Sequence, residues 1–260
     1  MRLDKFLSEA GIGAKKLARC YVKDGKVTVN SVIMDNPAAE INEITDVIRY
    51  LDQVVIHTGR VYYMFHKPAG CITARQDDAS KTVLDYFDEK VRNGLFPVGR
   101  LDKDTEGLLL LTNDGEFNHR LMYPDMHVEK TYSFWAIGAL SDIDQERLRV
   151  GISIGEDELP AKAIRIVVEK QGNVQEFQDE LKIYNRKDIR INPYHQPVVG
   201  GYITISEGRK HQVKRMLKAV GCYVVYLKRI QIGGLRLDET LEKGNYRELT
   251  EMEIMSLFQS

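Results

Sequence analysis

Two carboxylates, Asp102 and Asp104, stand two residues apart in a run bounded by Gly99 and Gly107 and continued by Leu108-Leu109-Leu110-Leu111-Thr112-Asn113-Asp114-Gly115. Neighbouring carboxylates can share acid and base work at a glycosidic bond. Residues i and i+2 of a loop seldom reach one bond, so Asp102 is the candidate reactive group. Asp104 and Thr105 are read as loop structure, with a side-chain bond fixing the turn. The four leucines are too few for a free-standing helix and fit a buried strand, with Asn113-Asp114-Gly115 starting the return of a hairpin. Asp102 then lies on a loop held by a rigid sheet, where catalytic groups are commonly carried. Aspartate between glycines also serves as a turn or cap residue, so spacing alone leaves its role open.

The elements that would position this loop can be read along 260 residues, enough for one large domain with a small satellite. Hydrophobic content of 43% beside 29% charge is that of an ordinary soluble chain. No apolar run reaches membrane-spanning length and Met1–Lys5 has no signal-peptide core, so the expectation is a cytoplasmic protein with no membrane partner. Cys20, Cys71 and Cys222 are odd in number and far apart, and the six histidines form no ligand-spaced helical pair. Neither a disulfide framework nor a metal site is expected.

The net charge of −1 conceals segregation. Residues 1–30 hold seven Lys and Arg against three acidic residues, a net +4, and residues 205–236 hold eight against one, a net +7. Segregated positive charge suits phosphate binding, although a charge run is also often a solvated face.

Leu3, Phe6, Leu7 and Ala10 predict an amphipathic helix stopped by Gly11 and Gly13. A second helix follows around Leu17, Tyr21 and Val22. Val27 and Val29 then alternate into a hairpin that returns through Val32-Ile33-Met34. With Arg2-Leu3-Asp4-Lys5 and Gly25–Asn30, this unit resembles the S4 RNA-binding domain, departing from its usual pattern at Ala14-Lys15-Lys16 and at Ser31. The resemblance implies RNA contacts through Arg2, Lys5, Lys15, Lys16 and Arg19.

A weak strand around Asp46–Leu51 leads to an aromatic strand at Val61–His66 and a Lys67-Pro68-Ala69-Gly70 turn, with the domain boundary near residue 59. The expected division is 1–58 and 59–260. Strands and short helices then mix without a βαβ repeat, which predicts an α+β domain on a largely antiparallel mixed sheet flanked by helices and loops. Val128–Ala136 and Ile203–Ile205 read as strands. Leu181–Val199 reads as a loop insertion. Val213, Met216, Leu217 and Val220 predict a helix ended by Gly221.

The Gly99–Gly107 run, the Lys67–Gly70 turn, Glu129-Lys130-Thr131-Tyr132, the Gly208–Met216 stretch and the tail Gly244–Thr250 together resemble pseudouridine synthases of the RsuA type. The resemblance covers nearly the whole chain except the insertion. It implies that Asp102 is the catalytic carboxylate, that Tyr132 stacks on the target base, and that Lys214 is the cation paired with Asp102. A nearby cation favours a charged carboxylate in a partly desolvated pocket.

It further implies RNA contacts by Lys67, Arg100, Arg209, Lys210, His211, Gln212 and Arg215. No cofactor, metal or protein partner is implied. The uracil would be extruded from its stack at a cost of roughly a few kcal/mol, repaid by phosphate contacts. Leu227–Ile230 and Gly208–Met216 look most like the branch acting on 16S rRNA at uridine 516, free or in a partly assembled small subunit. The alternatives are a 23S rRNA synthase of the same family and a non-catalytic RNA-binding assembly factor.

Overall fold

The computed structural model describes residues 1–57, 59–123, 126–156, 158–182 and 196–258. Apolar spacing at i, i+3 and i+4 builds the first helices. Leu3, Phe6 and Leu7 bury one face of α1 (Leu3–Glu9), and Ala18 and Val22 bury one face of α2 (Lys15–Lys23). Asp4 is fully buried between them and accepts hydrogen bonds from Arg2 and Arg19, the latter at 2.7 Å. Burial alone would raise its carboxyl, but the two guanidinium groups outweigh that and hold it below the usual range.

The strands β1 (Val27–Val29), β2 (Val32–Ile33), β3 (Ile48–Tyr50) and β4 (Gln53–Val54) form an antiparallel sheet in the order β2-β1-β3-β4. The weak strand anticipated near Asp46–Leu51 is β3. Val32 and Ile33 remain exposed on the sheet edge.

The second sheet begins with β5 (Tyr62–Lys67), β6 (Phe96–Val98), β7 (Glu106–Thr112) and β8 (Lys130–Ile137). It continues with β9 (Arg165–Asn173), β10 (Pro197–Ile205), β11 (Tyr223–Ile232), β12 (Leu235–Arg236) and β13 (Tyr246–Glu248). The order is β13-β5-β7-β11-β8-β10-β9, with β6 on β7 and β12 on β11. The pairing of β7 with β11 is parallel and the others are antiparallel, as an α+β reading requires. Leu109 and Leu111 enter the core on one face of β7, while Leu108 and Leu110 enter the core on the other. A strand covered on both faces needs no polar alternation, which explains the unbroken leucine run.

The segment after that run differs from the expected hairpin. Asn113-Asp114-Gly115 starts α3 (Gly115–Met122), and the Asp114 carboxylate accepts from the backbone N–H groups of Glu116 and Phe117. Residues 113–115 have none of the positive φ angles that a two-residue hairpin turn uses, and aspartate is a favoured helix cap. The two ends of the expected Leu181–Val199 insertion belong to regular elements instead. Leu181 and Lys182 end α5 (Gln178–Lys182), after α4 (Asp142–Val150), and residues 197–199 open β10. Residues 183–195 lie outside the described residues. The helix predicted around Val213 is α6 (Gln212–Ala219), and α7 (Glu251–Ser256) ends the fold.

The N-terminal unit sits directly against the second sheet's loops. A side chain on Gly11 would come within 2.5 Å of Gly94 N, and one on Gly94 within 2.5 Å of Glu9 O. Both glycines have positive φ, so backbone approaches backbone there. Among the described residues no helix is long and apolar enough to cross a membrane.

Candidate active site

The Asp102 loop is held from below by Lys67, the last residue of β5. Its side chain is completely buried, and Nζ donates to the carbonyls of Pro68 (3.1 Å), Asp102 (3.1 Å), Lys103 (3.3 Å) and Thr105 (2.9 Å). Gly70 N adds a bond to Lys103 O, and the Thr73 hydroxyl brackets Leu101 from both sides of its peptide. Lys67 was expected to touch RNA. Its burial corrects that reading: the ammonium is enclosed by the loop backbone that it fastens.

Above this clamp, the Lys214 ammonium of α6 lies 3.3 Å from an Asp102 carboxylate oxygen and 2.5 Å from Asp104. The anticipated Asp102–Lys214 pair is therefore present, but the lysine is shared. Asp104 is thus more than loop structure, since it competes for the same cation. On the other side His211 Nε2 stands 3.5 Å from Asp102. His211 precedes α6 in the left-handed conformation, with φ 52° and ψ 30°. A non-glycine residue rarely adopts it.

Tyr132 comes from the middle of β8 and is 8% exposed. It shares with Asp102 a cavity of about 250 Å³, whose rim includes Arg100, Arg209 and His211. The cavity floor holds two residues that sequence reasoning missed, Lys130 and Arg229, exposed by 7% and 4%. Burial, with the Arg229 charge adding to it, brings the Lys130 ammonium down to about 8. The available signal was strand alternation, because Lys130 precedes Tyr132 by two and so shares its face.

The other expected RNA contacts divide by environment. Arg100, Lys210 and His211 are exposed around the cavity, and Lys15 and Lys16 are exposed on α2. Arg2 and Arg19 are half-exposed while tied to Asp4. Lys5 reaches Glu116 at 2.6 Å and fastens α1 to α3. Arg209 is occupied by Glu207 and the Leu159 carbonyl, and Arg215 by Glu158 and the Ile154 carbonyl. Gln212 is a further correction: it is 3% exposed and accepts from the Arg209 N–H at 2.9 Å, closing the turn into α6. It faces the turn and the cavity wall.

What the arrangement offers is a carboxylate beside a cation, and an aromatic side chain lining the same partly open recess. Comparison with known proteins identifies the family. Residues 61–219 match the model of the RNA pseudouridylate synthase family, and residues 1–48 match the S4 domain. The chain is 38% identical to the uncharacterized RNA pseudouridine synthase YtzG of Bacillus subtilis, over 98% of this chain and 97% of that one. It is 35% identical to the ribosomal small subunit pseudouridine synthase A of Escherichia coli strain K12, covering 99% and 100% respectively. A crystal structure of a pseudouridylate synthase superposes with a TM-score of 0.62 at 33% identity, covering 99% of both chains.

Proposed function

Because the chain belongs to the RNA pseudouridylate synthase family, with an S4 domain at its N-terminus, we propose that it isomerises uridine 516 of 16S rRNA through the Asp102 carboxylate. The observation that carries this reading is that Asp102, paired with Lys214 at 3.3 Å, lines one recess with Tyr132. The small-subunit target is supported by full-length similarity to synthases named for that subunit. The proposed division into an RNA-binding unit, 1–58, and a catalytic unit, 59–260, follows the two separate sheets. The chain would act in the cytoplasm, on free 16S rRNA or a partly assembled subunit.

In this mechanism the S4 unit presents Lys15 and Lys16, and the cavity rim presents Arg100 and His211, with exposed Lys210 next to His211 in the chain, to phosphates around the target. These contacts repay extrusion of the uridine. The base enters the recess against Tyr132. Lys214 pairs with Asp102 and aims it, and the Lys67 clamp fixes the backbone that carries it. The carboxylate then acts at the ribose while the C1′–N1 bond breaks. The base turns within the recess and rejoins through C5, so the product is an isomer of the substrate.

The test is carbodiimide mapping with primer extension on unmodified 16S and 23S rRNA, using the wild-type protein and Asp102→Asn. A single new stop at 516 in 16S, absent with the variant, is the expected outcome. A stop only in 23S would move the protein to another branch, and substantial modification by Asp102→Asn would remove the assigned role of the carboxylate.

A further inference from the structure

Lys130 and Arg229 form the least expected feature of the recess. Both are buried, and neither forms an ion pair with a carboxylate among the described residues. Among the described residues the Lys130 ammonium donates only to the Val128 carbonyl at 2.8 Å, and the Arg229 Nε donates to the Leu108 carbonyl at 2.8 Å. Arg229 Nη2 is buried and has no hydrogen-bond partner. Two like charges withdrawn from water without a counter-ion are costly to hold, and unsatisfied buried donors are uncommon in native folds. Such a pair is suited to an anion that is present only part of the time.

Register shows where that anion would lie. Arg229 is the direct cross-strand partner of Tyr132, and Lys130 is two residues before Tyr132 on the same face. The cations therefore surround the platform against which the base would rest. A polynucleotide backbone cannot follow the base into this recess, because the chain must continue in both directions outside it. Its phosphates stay at the rim, near exposed Arg100, Lys210 and His211.

We propose that Lys130 and Arg229 are further catalytic residues that stabilise the negative charge carried by the detached uracil. This rests on the pseudouridine synthase reading above. As the C1′–N1 bond breaks, its electron pair leaves with the base and spreads from N1 onto O2 and O4. The balance is the same whether Asp102 bonds to C1′ or removes the proton from C2′. The ammonium and guanidinium donate hydrogen bonds to the oxygen that gains charge. C5 of the anion then bonds to C1′ as the Asp102–C1′ bond breaks and the carboxylate leaves with its pair, or, in the other case, as Asp102 returns its proton to C2′; the C5 proton is lost and N1 gains one, so nothing is oxidised or reduced. Uracil attached to ribose is neutral, so these contacts strengthen only as the bond breaks. They should act on kcat and leave KM for RNA nearly unchanged.

The experiment compares wild type, Lys130→Met and Lys130→Arg by two readouts. The first is tritium release from rRNA labelled at C5 of uridine. The second is calorimetric binding of free uracil against 5-nitrouracil, whose ring is anionic at neutral pH. Lys130→Met should lower kcat about a hundredfold with KM within about threefold, while Lys130→Arg restores most of the rate. Wild type should prefer 5-nitrouracil over uracil by at least about tenfold, and Lys130→Met should lose that preference while still binding uracil. Raised KM at unchanged kcat, or the same preference in the variant, would overturn the inference. Thermal unfolding separates loss of fold from loss of function, since replacing an unpaired buried charge with methionine should not lower Tm. If wild type releases no tritium from rRNA, the functional reading fails, and the two-base comparison still decides whether the recess favours an anionic pyrimidine.

Discussion

Lys67→Met asks whether a lysine buried beneath the loop governs the position of Asp102. Methionine matches the lysine stem in length and apolar character, so the change removes the ammonium with little change in shape. Of its four acceptors, Asp102 O and Lys103 O keep backbone donors, from Thr105 N at 3.1 Å and Gly70 N at 2.7 Å. The loss falls mainly on the carbonyls of Pro68, left with only the weak Cys71 thiol donor at 3.5 Å, and Thr105, at about 1–3 kcal/mol each for a buried acceptor left short. Relief from burying an ammonium offsets part of this, leaving about 3 kcal/mol. With 260 residues the unfolding entropy is about 0.55 kcal/mol/K, so Tm should fall by about 5–6 °C.

Activity should suffer more than stability. A displacement of about 1 Å in a reacting group costs about a hundredfold in rate, and that is the expected fall in kcat. RNA affinity and its salt dependence should stay unchanged, because Lys67 is not accessible to phosphate. Calorimetry, tritium release and filter binding at several salt concentrations report the three quantities. A log–log salt slope reduced by about 0.7–0.9 with unchanged kcat would refute the clamp and restore Lys67 as a phosphate contact.

Two further predictions concern charge. Glu253 is bound by Arg247 and the Thr250 cap, and these partners bring its carboxyl down to about 2 against burial. Its contribution to stability is therefore present above the unfolded value near 4.5 and is lost as pH falls toward 2. Glu253→Gln should flatten the acid limb of a Tm-against-pH curve between those values, and an unchanged limb would contradict the ion pair. Lys15→Ala with Lys16→Ala should reduce the salt slope of RNA binding by about 1.4–1.8, with Tm little changed because both side chains are exposed. An unchanged slope would remove α2 from the interface. Arg19 is a poorer choice for this test, since its loss would strip a partner from buried Asp4.

Local order is written into this sequence where one residue type answers one local demand. Apolar residues at helical spacing gave α1, α2 and α6, and the leucine run gave a strand enclosed on both faces. The glycine-bounded loop singled out Asp102 because loops on sheets carry reactive groups. Tyr132 and Lys214 came with the family motifs; Tyr132 shares a recess with Asp102, and Lys214 pairs with its carboxylate. The sequence could not separate lysines by environment. Lys67 and Lys15 read alike along the chain, yet one is sealed beneath a loop and the other faces water. Asn113-Asp114-Gly115 satisfies the rules of both a hairpin turn and a helix cap, and the backbone of the assembled sheet selects the cap. Asp104 became visible only when α6 delivered Lys214 between two carboxylates. Lys130 and Arg229 lie 99 positions apart in the chain, on strands whose register alone makes them neighbours of Tyr132. Spacing along a chain determines which face a side chain takes; what stands opposite that face is decided by packing between distant segments.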